Sequence, residues 1–207
     1  MDGRPQPAAV IGRAADRFHT GFDGIETWHC FSAGAHYDPD NVAYGPVVGV
    51  DEHVIAPGAG FEWHGHRGVT IVSHVVSGRL RHDDDRGRAR VVGPGELLVQ
   101  RAGSGIRHCE VNASAREPLR LVQTTLIAPD TDARVEVTTP PVVLDGVRFE
   151  VRTHGGTVDA PRWHLFVARG EWQLDATTLA PGDSVRAGGP AAITGSGELL
   201  VVVVSNG

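Results

Sequence analysis

The chain has 207 residues and a formal net charge of −6, enough length for one domain or for two small ones sharing a core. The acidic balance excludes the basic footprint of a nucleic-acid binder. All 19 basic residues are Arg, which also excludes Schiff-base chemistry and a P-loop phosphate site, since both need a Lys ammonium. Two cysteines, Cys30 and Cys109, are too few for a disulfide framework. The first thirty residues lack a signal-peptide pattern, and no apolar run approaches the roughly 20 residues that cross a bilayer. The expectation is a soluble, cytoplasmic, monomeric protein with no membrane and no direct nucleic-acid partner.

In chain order, residues 1–15 carry no apolar periodicity and read as a loose arm. Residues 28–57 are irregular, with a turn at Asp38-Pro39-Asp40-Asn41 and a short strand predicted at 47–50. Short β-branched runs cut by turn residues then predict strands at 61–66, 70–77, 79–82, 89–92, 97–101, 108–111 and 119–127. No segment of this half has a period of 3.6. Evenly spaced short strands with Gly turns point to an all-β barrel or jelly roll.

The second half repeats the first in weaker form. HVVSGRL at 74–80 and GPGELLVQRAG at 93–103 are echoed by LFVARGEWQL at 165–174 and APGDSVRAGG at 180–189. Counted by the offsets of these two echoes, His64 and His66 fall on Gly156 and Val158, and His108 and Glu110 on Gly195 and Gly197. The predicted organisation is therefore residues 1–130 as a metal-binding half and 131–207 as a degenerate half without ligands.

The chemistry is concentrated in residues 58–112. His64 and His66 form one i, i+2 pair, and His108 and Glu110 form another. In a strand such pairs leave the same face, so two pairs on adjacent or facing strands can aim three imidazoles and one carboxylate at one point. Three nitrogens and one oxygen are a ligand set for a divalent transition metal. Cys109, on the opposite face from its neighbours, reads as a packed thiol. His74 and His82 read as ordinary barrel-face residues, Asp83-Asp84-Asp85 as a solvated hairpin tip, and Phe61 and Trp63 as wall or core residues.

Gly58, His64, His66 and Gly78 fit the first cupin motif, and Gly95, Gly105, His108 and Asn112 fit the second. HGHRG at 64–68, AGSGIRHCEVN at 102–112, FSAGAHYDPDN at 31–41 and VIAPGAGFEWH at 54–64 resemble the pirin family more closely. That resemblance implies two tandem cupin halves with one metal site, in the N-terminal half. It implies a metal held by His64, His66, His108 and Glu110, with Fe2+ the usual ion. Nickel, cobalt, manganese, copper or zinc would fit the same donors. Some members of that family have quercetin dioxygenase activity, so a small aromatic substrate and O2 are expected, with Glu110 also the catalytic proton acceptor. The alternative is a non-enzymatic iron-binding redox sensor or regulatory partner acting through a protein contact. Departures from the family pattern are Gly65 for Pro, Thr70 for a carboxylate and Cys109 for Ser.

Overall fold

The computed structural model describes residues 9–128, 132–144 and 146–205. Among these the chain is built of strands, with one 3-10 turn at Ala14–Asp16 and no α-helix. It divides into two compact units. One is Phe18–Pro140, and the other joins the chain up to Arg17 to the chain from Pro141 onward.

The first unit holds β2 (Phe18–Phe22), β3 (Ile25–His29), β4 (Val47–Ile55), β5 (Gly60–His66), β6 (Val69–Ser77), β7 (Leu80–Asp84), β8 (Ala89–Val92), β9 (Leu97–Arg101), β10 (Ile106–Asn112), β11 (Leu119–Ile127) and β12 (Arg134–Thr138). They form a seven-stranded sheet in the order β12-β9-β6-β11-β4-β3-β2 and a four-stranded sheet in the order β5-β10-β7-β8. The two sheets close over one apolar core, to which Ile55, Val75, Leu98 and Leu121 contribute from the larger sheet and Leu80, Val92 and Ile106 from the smaller. Period-two burial sets the faces. In β10, Ile106, His108, Glu110 and Asn112 are buried while the residues between them are not. In β7, Leu80, His82 and Asp84 are buried likewise.

The second unit holds β1 (Val10–Gly12), β13 (Val142–Leu144), β14 (Val147–Leu174), β15 (Thr177–Leu179) and β16 (Ser184–Val204), in the order β1-β16-β14-β13 with β15 on β14. Trp163 and Trp172 are its largest buried side chains.

Three sequence expectations change. Residues 10–12 are not a loose arm, because they pair with 184–186 of β16. The Asp183 carboxylate also accepts from the Ala14 backbone N–H at 2.8 Å and from Arg13 at 2.7 Å; residues 1–8 lie outside the described residues. The first unit extends past residue 130, because β12 pairs with β9 across 97–101. Asp84 is no solvated tip. It is 4% exposed and accepts from Arg90 at 2.9 Å and from the backbone N–H groups of Arg86 and Arg88. Burial pushes its carboxyl up, but these donors outweigh that and hold it below the usual range.

The register also corrects the repeat. Gly78 and Gly170 are the same turn, with φ of +84° and +80° and each pressed against the backbone of a following strand. From that anchor Leu80↔Asn112, Arg81↔Val111 and His82↔Glu110 match Trp172↔Gly195, Gln173↔Thr194 and Leu174↔Ile193. The counterpart of Glu110 is therefore Ile193, not Gly197. By the same ladder His108↔His64 matches Ala191↔Val158, which makes Ala160 the counterpart of His66. Offset counting fails because His108 lies 13 residues after Gly95 whereas Ala191 lies nine after Gly182, and His64 lies 14 before Gly78 whereas Val158 lies 12 before Gly170. Val158, Ala160 and Ile193 belong to the apolar core of the second unit, and Ala191 packs on it. Where the first unit carries imidazoles and a carboxylate, the second carries hydrocarbon.

Candidate metal centre

The centre is built by three strands of the smaller sheet. β10 lies between β5 and β7, so His108 pairs with His64 on one side and Asp84 on the other, and Glu110 pairs with His82. A bulge opposes Phe61–His64 of β5 to only His108–Glu110 of β10. The extra residue lets Phe61 and His64 both face inward although they are three apart, and it turns Trp63 outward.

His64, His66 and His108 offer ring nitrogens that all lie within 4.8 Å of one another. The Nε2 atoms of His64 and His108 are 3.0 Å apart. Two nitrogens each about 2.1 Å from one ion stand roughly 3.0 Å apart when the angle at the ion is about 90°. The Glu62 carbonyl accepts from Nδ1 of His64 at 2.7 Å, which leaves the Nε2 lone pair directed at its neighbours. Burial, then the neighbouring imidazoles, lower His66 to about 4 and His108 to about 3. At neutral pH both are uncharged, the form that binds metal.

Glu110 falls in a second group of the same tightness, with His108 and His82. It is 3% exposed, and burial pushes its carboxyl up to about 7 against the pull of its hydrogen bond to Gln123. Gln123, on β11, donates from Nε2 to Glu110 at 2.8 Å and to Ser73 at 3.0 Å. His108 thus belongs to both groups. Behind it, His108 Nδ1 lies 3.0 Å from Nε2 of His82, which lies 2.8 Å from Gln100 Oε1. His82 Nδ1 and Gln100 Nε2 have no hydrogen-bond partner. The donor set, with His66 and His108 uncharged, fits a divalent transition metal.

A family model described as Pirin matches residues 12–126. The chain belongs to the pirin family. A Mycobacterium tuberculosis protein bearing the name "Putative quercetin 2,3-dioxygenase" is 35% identical over 210 residues, covering 85% of each chain. The Escherichia coli K12 protein named quercetin 2,3-dioxygenase is 35% identical over 113 residues, covering 55% of this chain and 49% of that one. Among solved structures, the E. coli pirin YhhW in complex with nickel(II) superposes with a TM-score of 0.84 at 23% identity, covering 96% of this chain and 100% of that one. A quercetin 2,3-dioxygenase from Acinetobacter baumannii superposes with a TM-score of 0.72 at 15% identity, covering 95% and 79%. These superpositions establish the pirin and cupin fold.

Within this pirin-family fold, the structure gathers the sequence-predicted residues around His108 but adds others. His82, read as a barrel-face residue, stands 3.0 Å from His108. Gln123 and Ser73 come from the opposite sheet. No local motif marks any of the three; only the ladder Glu110↔His82 and the fold of β11 over the site bring them in. Cys109 belongs to neither donor group, and its Sγ is 4.0 Å from the Asp83 carboxylate. Burial, then that carboxylate, push the thiol up. A cleft of about 910 Å³ lies beside the cluster, with Phe61, Trp63 and Cys109 on its wall. The four expected ligands do not line it, and the Phe61 ring stands 6.2 Å from that of His64.

Proposed function

We propose that this pirin holds one divalent transition metal, iron(II) in the first place, through His64, His66 and His108 with Glu110 as the carboxylate, and acts as a dioxygenase on flavonol-like aromatic substrates. The observation that carries the reading is the convergence of three imidazoles on one point, those of His66 and His108 uncharged at neutral pH, with a buried carboxyl beside them. When bound, the ion polarises an enolic or phenolic oxygen and supplies the redox step that O2 chemistry requires. The chain's own part is acid–base and positional. Glu110, buried beside His108 and His82, is the carboxylate placed to take the enolic proton when it is not engaged by the ion. Gln123 keeps that carboxylate oriented, and His82 holds His108 from behind. The names of the M. tuberculosis and E. coli relatives and the nickel(II) in YhhW support the reading.

Metal analysis of protein purified without added metal, then anaerobic reconstitution with Fe2+, Ni2+, Co2+, Mn2+ or Cu2+ and a quercetin assay under O2, tests it. Turnover is expected with at least one ion and is lost in His108→Ala. No turnover with any ion removes flavonols from consideration. A second reading, a redox-sensing or regulatory protein, is favoured by one observation: the expected ligands do not open onto the 910 Å³ cleft. A metal bound tightly without turnover, with a partner affinity that differs between ferrous and ferric forms, is the result that reading requires.

A further inference from the structure

The 910 Å³ cleft runs between two sheet edges, with β2 on one side and β5 on the other. Its volume is that of a drug-sized ligand site. Two aromatic side chains stand exposed at it, Phe22 at 74% and Trp63 at 49%, with Phe61 deeper in. Exposed rings gathered at one concavity are a costly feature for a soluble surface and suit a flat aromatic ligand. Asp23 and Glu62 also line it, and among the described residues no Arg does, so a carboxylate ligand is disfavoured.

One wall carries a directed hydrogen-bond chain. Thr20 lines the cleft, its Oγ1 is 3.0 Å from His29 Nε2, and His29 Nδ1 is 2.7 Å from Asp51 Oδ1. The His29 ring is held in place, with its side chain 13% exposed. A carboxylate only accepts, so Nδ1 carries the proton that Asp51 receives. In the neutral ring Nε2 is then the lone pair and takes the Thr20 hydroxyl proton. What Thr20 has left for the cleft is its oxygen lone pairs. The site therefore asks for a hydrogen-bond donor.

We propose that this cleft binds an uncharged planar aromatic molecule bearing a hydroxyl group, with the rings of Phe22 and Trp63 against its face and Thr20, oriented by His29 and Asp51, accepting its O–H. The site is separate from the metal cluster, none of whose residues line it, and the proposal stands whether or not the metal centre turns over a substrate.

Calorimetric titration of the protein as purified, with metal content measured alongside, tests it using quercetin and its fully O-methylated ether. Thr20→Val is expected to weaken quercetin binding about tenfold, the scale of one hydrogen bond to an otherwise unpaired acceptor. Thr20→Ser restores it. The methylated ether, which has no donor, binds wild type and Thr20→Val equally and more weakly than quercetin binds wild type. His29→Leu frees the Thr20 hydroxyl to rotate and narrows the preference for quercetin over its ether. Equal quercetin affinity in wild type and Thr20→Val, or equal affinity of wild type for quercetin and its ether, overturns the proposal. Loss of binding in His64→Ala but not in Thr20→Val assigns the ligand to the metal and also overturns it. Absence of metal or of turnover overturns the metal reading alone and leaves the Thr20 result intact.

Discussion

Replacing Gln123 by Leu tests whether Glu110 belongs to the metal centre. The Gln123 amide is the hydrogen-bond donor that acts on the buried Glu110 carboxylate, at 2.8 Å. A hydrogen bond to a charged group contributes about 1.5–3 kcal/mol, which corresponds to roughly one to two pK units. The carboxyl already stands at about 7 with that bond in place, so its removal drives the group further up and leaves it protonated at neutral pH. An ion that uses Glu110 must then displace a proton that the wild type has half released. Metal affinity of Gln123→Leu at pH 7 is expected to fall about tenfold to a hundredfold. The deficit shrinks as pH rises and the carboxyl ionises in both proteins. Competition with a chromophoric chelator for Zn2+ or Co2+, at intervals from about pH 6 to pH 9, reads both the size and the pH course. Equal affinities with superimposable pH profiles would refute the reasoning, and the three histidines would then hold the ion without the carboxylate.

Three further outcomes follow from burial and backbone geometry. Glu110 is raised from 4.5 to about 7, so the folded metal-free protein keeps a proton that the unfolded chain releases, and stability falls as pH rises between those values. Glu110→Gln should therefore stabilise metal-free protein at pH 8 by up to about 3 kcal/mol and have little effect at pH 4.5, read by urea unfolding. His164 is lowered to about 3, by burial first and then by Arg186, so its contribution is fully present above pH 6.5 and is lost as pH falls toward 3. His164→Gln should flatten that slope, closing about 2 kcal/mol of its gap to wild type between pH 7.5 and pH 5. Gly78 and Gly87 both have positive φ, but a Cβ on Gly78 would sit 2.8 Å from the Pro118 carbonyl oxygen, whereas Gly87 faces open space. Gly87→Ala is expected to cost about 1 kcal/mol for the backbone conformation alone, and Gly78→Ala roughly 1–3 kcal/mol more for the clash. Thermal unfolding of the two variants side by side distinguishes them.

Much of the candidate site was legible because strand periodicity is local. His64 with His66, and His108 with Glu110, share faces by i, i+2 spacing, and the structure keeps both pairs inward. His82, Gln123 and Ser73 were not legible, because their approach depends on which strands pair and in what register, a property of residues 13 to 50 apart in the chain. The hairpin β2–β3 was missed for a related reason: β2 is exposed along its length, so its residues show no alternation of apolar and polar side chains. The offset count for the second half went astray before Ala191, because nine residues separate it from Gly182 where 13 separate His108 from Gly95. It still reached the right chemistry, since Ala191 and Ile193 are as unable to hold an ion as Gly195 and Gly197.

By itself the sequence determined an all-β chain, the short strands of its first half, an echo of them in the second and a histidine-rich stretch at 58–112. These depend on turn residues and side-chain alternation, which act within a few residues. The tertiary structure decided the rest. It placed Glu110 with His82 as well as with His108, sealed Glu110 from water so that its carboxyl rises to about 7, and aligned Thr20, His29 and Asp51 on a cleft beside the cluster. Burial, electrostatic shifts and hydrogen-bond direction are set by neighbours from distant strands, and no spacing along the chain encodes them.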